Sequence, residues 1–473
     1  MWIAALFFAA SAAPADYEAC SLRSGQLPET ISAQCFEVSV PLDWSQPDGE
    51  TIQLAAAWIA PRAGEAEGEP LLMLAGGPGQ AALEAFIPHV RALGAVRQNH
   101  PIVLVDQRGT GGSARLECPD AGLAEAESAE EIGQAMQRCR EALDRDPRHF
   151  TTQASAKDLD AVREHLGIEE WHVYGVSYGS RLGLHYLRRF EERVASLILD
   201  GVVPADEVLG PMLAPFAERA VKRMLQRCES SEDCREAFPD LEEGLRSLLE
   251  SVAEEEREVS IRHPRSHEWT EVALNRQRIG QLLRFAAYQP DVLAIMPLLI
   301  HRAAREDDWA PLAAQWVTLG ESLEGSLSIP LHYAVVCSED ISFIDEDSPF
   351  SEEDGLLGLN PLALLQAACA EWPRADIPAD FHQAVASERP VLLLSGELDP
   401  VTPPEWGDQA AATLDNSRHV ILKGKGHNVI HHGCLPFLVR DFLRNRDPAG
   451  LDSDCLSAMR PMPFFLDFSG PAP

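Results

Sequence analysis

The chain has 473 residues, 45% apolar and 24% charged, enough hydrophobic content for sizeable cores and too much for a disordered chain. Its 74 acidic residues outnumber 39 basic ones, a formal charge of −35, which argues against nucleic acid and anionic lipid as partners because both need a basic surface. Beyond the N-terminus no stretch approaches the roughly twenty uninterrupted apolar residues of a membrane-spanning helix, so no stable membrane insertion is expected.

Residues 1–15 are uncharged and almost wholly apolar, and Ala13-Pro14-Ala15 offers small residues before a cut at Asp16. This pattern reads as a signal peptide and predicts export to the periplasm or the extracellular space. Ten cysteines, Cys20, Cys35, Cys118, Cys139, Cys228, Cys234, Cys337, Cys369, Cys434 and Cys455, all lie beyond that cut. None forms a CxxC, and the spacings match neither a zinc ribbon nor a redox dithiol. Joining each cysteine to its neighbour in sequence closes short local loops, the pairing expected in an oxidising compartment.

Phe36, Val38 and Val40 alternate with polar residues, as do Ile52, Leu54 and Ala56 after the Asp48-Gly49 turn, which predicts a hairpin. Leu71 to Ala75 and Ile102 to Val105 are compact apolar runs with a helical stretch around Leu83 to Leu93 between them. Ser155 and Asp158 have capping-box spacing ahead of Leu159, Val162 and Leu166, and Gly167 ends that helix. A short strand from Trp171, a helix after Ser177 and a strand at Leu197 to Leu199 continue the βα repetition of a parallel sheet.

Between about Pro204 and Pro390 helical segments dominate, including 216–228, 241–252, 276–287 and 292–304, and strand alternation is scarce, so a helical insertion is expected. The acidic run Asp345–Asp354 lacks EF-hand spacing and reads as a solvated loop; no metal is expected. Val391 to Leu394 and Val420 to Leu422 restore strands, Leu435 to Leu443 forms a last amphipathic helix, and Phe464, Phe465 and Phe468 can dock the proline-rich tail. The expected division is therefore 1–15 signal peptide, 16–204 first part of the core, 205–385 helical cap, 386–446 second part of the core and 447–473 extension.

The sharpest motif is Gly175-Val176-Ser177-Tyr178-Gly179, placed after a strand and before a helix, where a tight turn presents a serine nucleophile. A serine hydroxyl needs a base, and the base an orienting acid. Asp399, in Gly396-Glu397-Leu398-Asp399-Pro400, is the acid candidate, with Glu397 its rival. His427, in Gly426-His427-Asn428, is the base candidate, while His431 and His432 read as structural. The oxyanion donors expected are the backbone N–H groups of Gly77 and Tyr178, since Pro78 has none to give.

With Gly76-Gly77-Pro78-Gly79 and Asp106-Gln107-Arg108-Gly109-Thr110-Gly111-Gly112-Ser113 added to these motifs, the chain resembles the prolyl aminopeptidase-like serine peptidases, and within them the exported tripeptidyl-aminopeptidase-like branch. The resemblance implies an α/β-hydrolase fold with a mostly parallel central sheet and a large α-helical cap, Arg108 supporting the active-site floor, and cleavage from a free peptide N-terminus without a cofactor. It also implies cap acids that hold the substrate ammonium, for which Glu339 and Asp340 are the local candidates. Ala75 stands where many prolyl aminopeptidases have histidine, which weakens a strictly proline-specific reading. The competing functions are a carboxylesterase, which the same three residues would serve, and a noncatalytic binding protein.

Overall fold

The computed structural model describes residues 17–24, 30–64, 66–119, 121–122, 126, 128–323, 327–344 and 355–471. The expected signal peptide and the Asp345–Asp354 run lie outside the described residues.

Nine strands form the central sheet: β1 (Glu18–Arg23), β2 (Thr30–Pro41), β3 (Thr51–Ile59), β4 (Leu71–Leu74), β5 (Ile102–Val105), β6 (Trp171–Val176), β7 (Val194–Asp200), β10 (Val391–Gly396) and β11 (Ser417–Leu422). Strands β8 (Arg257–Arg262) and β9 (Trp269–Leu274) make a separate hairpin. The order is β1-β2-β3-β5-β4-β6-β7-β10-β11. From β5 to β11 all neighbours are parallel, and β1, β2 and β3 run antiparallel at one edge. Every residue of β4 to β7 and β10 is buried, as expected of apolar runs covered on both faces, whereas β2 alternates buried with exposed.

Helices cover both faces. Thr152–His165 and Tyr178–Arg189 pack Leu159, Val162, Leu182 and Tyr186 against one side. Phe86, Val90, Leu438 and Phe442 cover the other. The cap follows β7. Its helices Leu213–Ser230, Leu241–Ser251, Arg276–Ala286, Pro290–Glu306 and Ala310–Leu323 enclose a core of their own. The next helix, Ile329–Glu339, returns to the sheet layer through Leu331, Ala334 and Val335. This is the α/β-hydrolase arrangement with a large helical cap.

Three local expectations need correction. The stretch near Leu83–Leu93 is two short helices, Ala82–Ala85 and Ile87–Ala92, since Pro88 has no N–H to continue one ladder. Ser155 does not cap its helix: Thr151 does, its hydroxyl accepting the Ala154 N–H at 3.2 Å, and Asp158 is taken by Arg108. The cap is not purely helical, because β8 and β9 bury only Val259 and Ile261, and Val272 and Leu274, respectively, within charged surroundings too short to register as alternation.

Disulfides join Cys20–Cys35, Cys118–Cys139, Cys228–Cys234, Cys337–Cys369 and Cys434–Cys455. In the tail, Phe464 is buried against the cap and the Phe465 N–H donates to the Ala294 carbonyl at 3.1 Å, while Phe468 stays exposed beneath Arg302. Among the described residues no helix is long and apolar enough to cross a membrane.

Candidate active site

Strand β6 leads directly into Ser177, whose φ of 56° and ψ of −127° lie outside the ordinary range of an L-residue. The flanking glycines permit this turn. A Cβ on Gly175 would stand 2.2 Å from the Gly179 carbonyl oxygen, and one on Gly179 would stand 2.2 Å from that of Leu74. The Ser177 N–H donates to the Asp200 carbonyl at the end of β7, 2.9 Å away. The helix that begins at Tyr178 directs its N-terminal N–H groups and positive dipole toward this corner. Gly76 packs against the serine so closely that an added Cβ would meet Ser177 Cβ at 3.0 Å. The Gly76-Gly77 turn and the Tyr178 N–H thus both border Ser177.

Asp399 follows β10 and His427 follows β11. One Asp399 oxygen accepts the N–H groups of Val401 at 2.9 Å and Thr402 at 2.8 Å. The other accepts the Thr402 hydroxyl at 2.8 Å and His427 Nδ1–H at 2.8 Å. This fixes the imidazole tautomer with the proton on Nδ1 and Nε2 as the ring's acceptor. Burial works against protonation of His427, yet the charge and hydrogen bond of Asp399, with help from Asp200, hold its pKa above the ordinary value, while Arg284 opposes them.

The His427 ring lies against Gly201, where a Cβ would come within 2.8 Å of its Cε1. Gly201 follows the residue whose carbonyl holds Ser177, so Ser177 and His427 flank the same strand end.

Several contributors were not singled out in the sequence. Thr402 serves Asp399, and its position three residues after the acid was the available signal. Asp200 is fully buried, and its carboxylate accepts the N–H groups of Val429 and Ile430 just after His427. Burial pushes its pKa up to about 6. The Tyr174 hydroxyl lies 3.1 Å from an Asp200 carboxylate oxygen and 3.2 Å from Asn428 Oδ1, two acceptors competing for its one proton, and Asn428 donates to His89. Tyr288, from the cap, accepts the His427 N–H on its carbonyl at 3.1 Å and sets its ring edge-on to the imidazole. Glu397, the rival acid candidate of the sequence, instead accepts the Gly424 N–H at 2.8 Å and links the loop after β10 to the loop after β11.

Arg108 is fully buried. It donates to both Asp158 oxygens, at 2.7 and 2.6 Å, and to the carbonyls of Pro41, Leu42 and His149. It braces the end of β2 against the helix before β6. In the same loop Asp106 accepts the N–H groups of Leu83 and Gly112, and a Cβ on Gly111 would lie 2.0 Å from its carboxylate.

Glu339 and Asp340 are also fully buried. Asp340 forms an ion pair at 3.0 Å with Arg181, on the helix Tyr178–Arg189, and accepts the Leu209 N–H. Glu339 accepts the Thr152 N–H and hydroxyl at 2.7 and 2.6 Å, and the Thr152 hydroxyl is 2.8 Å from that of Tyr178. Burial raises the Glu339 pKa to about 7 despite the Arg181 charge and the Thr152 hydrogen bonds. The described residues hold no cluster of metal-ligating side chains.

A family model described as the alpha/beta hydrolase fold matches residues 69–433. The chain is similar to the serine protease Hip1 of Mycobacterium tuberculosis (strain ATCC 25618 / H37Rv), 24% identical over 471 residues that cover 91% of this chain and 88% of that protein. It is also similar to the tripeptidyl aminopeptidase of Streptomyces lividans, 34% identical over 214 residues, 41% of this chain and 39% of the relative. The crystal structure of a Mycobacterium smegmatis proline iminopeptidase aligns over 87% of this chain and 99% of its own, at 18% identity and a TM-score of 0.43.

Proposed function

We propose, for a chain that belongs to the α/β-hydrolase fold family, that it is an exported serine exopeptidase releasing single residues or short peptides from free peptide N-termini. The observation that carries the reading is the 2.8 Å His427–Asp399 hydrogen bond beside the strained Ser177 turn.

In this mechanism His427 Nε2 takes the Ser177 proton as Oγ attacks the scissile carbonyl. Asp399 keeps the imidazole oriented and balances the charge it gains. The N–H groups of Gly77 and Tyr178 receive the developing oxyanion, stabilising the transition state more than the substrate. His427 then gives its proton to the leaving amine, and water repeats the sequence against the acyl-enzyme. The chemistry needs no cofactor. The five disulfides agree with an oxidising, extracytoplasmic compartment.

Of the two cap acids, we assign ammonium recognition to Glu339, because Arg181 already balances Asp340. The link from Glu339 through Thr152 to Tyr178 ties that recognition to the nucleophile turn. Labelling with a fluorophosphonate tests the nucleophile: peptide mass mapping should put one adduct on Ser177, and an adduct on another residue would contradict the assignment.

A further inference from the structure

Several arginines without a carboxylate partner, Arg188, Arg223 and Arg418 among them, donate to backbone carbonyls instead. Arg284, near the end of the cap helix Arg276–Ala286, has neither kind of partner among the described residues. It makes one hydrogen bond, to the Tyr288 hydroxyl at 3.4 Å, and packs over the Phe285 ring. Its Nε is buried without a partner.

The position of Arg284 gives its charge chemical meaning. Tyr288 lies edge-on to His427, with ring centroids 5.1 Å apart, and its carbonyl holds the His427 N–H. The Arg284 charge is close enough to lower the proton affinity of His427 and of His332, which is bonded to the Pro78 carbonyl in the oxyanion loop. Through Tyr288 the cation is set on the cap side of His427. Alone it is unfavourable there, because it opposes the imidazolium that must form during turnover. A negative charge brought by the substrate would remove that opposition, and the planar fork of a guanidinium matches a carboxylate in two parallel hydrogen bonds.

Resting on the exopeptidase reading above, we infer that Arg284 recognises a carboxylate on the leaving-group side of the scissile bond. His427 hands its proton to the leaving amine, so a cap residue beside it faces that part of the substrate. The carboxylate is either the C-terminus of a short peptide or an acidic side chain just after the cleaved bond.

Binding separates this inference from the catalytic one. Ser177→Ala protein, titrated calorimetrically, is compared with the Ser177→Ala/Arg284→Gln and Ser177→Ala/Arg284→Lys proteins. The probes are two matched pairs of short peptides: C-terminal carboxylate against amide, and glutamate against glutamine after the scissile position. At least one charged peptide should bind about tenfold or more tightly than its neutral partner, as expected for a shielded charge pair. Arg284→Gln should erase that difference and Arg284→Lys should keep part of it. The pair that shows the difference identifies the carboxylate's source. Equal affinity within both pairs, or a difference that persists in a folded Arg284→Gln protein, overturns the inference. Thermal melting establishes folding, and Arg284→Lys provides the same comparison with a retained cation. Turnover that survives Ser177→Ala would sink the catalytic reading while leaving this binding difference measurable.

Discussion

At the residue scale, proton affinities set the first expectations. In the proposed mechanism His427 acts as a base only when neutral, and its pKa is held above the ordinary imidazole value, chiefly by Asp399 acting against burial. Activity should therefore fall as pH drops through that raised value. Asp399→Asn removes the leading cause of the rise, so the acid limb of kcat/KM should move to lower pH while kcat drops by roughly 10³–10⁴-fold, the scale seen for such acids elsewhere. A pH–rate profile with an unmoved acid limb would contradict the Asp399 role. Asp200 holds the two N–H groups after His427, so Asp200→Asn turns amide hydrogens toward existing donors and should lower kcat by on the order of 10²-fold through misplacement, with KM little changed.

Glu339→Gln should reduce the advantage of free over N-acetylated peptides, and Asp340→Asn should not. If neither changes that advantage, these acids hold the cap helix rather than the substrate. The Glu339 pKa of about 7 lies above its ordinary value, so the folded state binds this proton more tightly than the unfolded chain. Stability contributed by that proton is present at low pH and is lost as pH rises toward about 7. Glu339→Gln should flatten the pH dependence of stability in that window, as chemical denaturation at several pH values would show.

The placement of Ser177, Asp399 and His427 just beyond strand ends was legible because the motifs around them force unusual backbone or follow strands in a recognisable order. Asp200 and Thr402 were not, because their roles depend on which N–H groups and side chains the fold brings to them. Asp200 meets Val429 and Ile430 across more than two hundred residues, and no local pattern announces such a partner.

At the element scale, apolar runs flanked by glycine made the parallel strands readable, and the large cap was legible as a change to helical periodicity. The β1 strand and the β8–β9 hairpin escaped because polar, short strands become stable only through pairing. The Arg108–Asp158 pair shows the same dependence on distant partners: the motif marked Arg108, but its contacts with β2 and the helix before β6 arise from the fold. Arg108→Ala leaves Asp158 buried without its charge partner and should cost about 3–5 kcal/mol of stability. Urea unfolding measures this directly, and a loss below about 1 kcal/mol would remove Arg108 from the brace.

At the scale of the whole molecule, the cap and the sheet converge on one corner. The cap supplies Tyr288 beside His427, while Glu339 and Asp340 bind the helices on either side of β6. The Cys434–Cys455 disulfide fastens the chain just beyond His427 to the C-terminal extension. The central claim is that this corner removes residues from a free N-terminus through Ser177. It is tested most directly by incubating wild-type and Ser177→Ala proteins with one peptide in free and N-acetylated forms and reading the products by mass. The account predicts a short N-terminal fragment from the free peptide with the wild type, little from the acetylated peptide and none with Ser177→Ala. Equal cleavage of both peptides, or full cleavage by the Ser177→Ala protein, would contradict it.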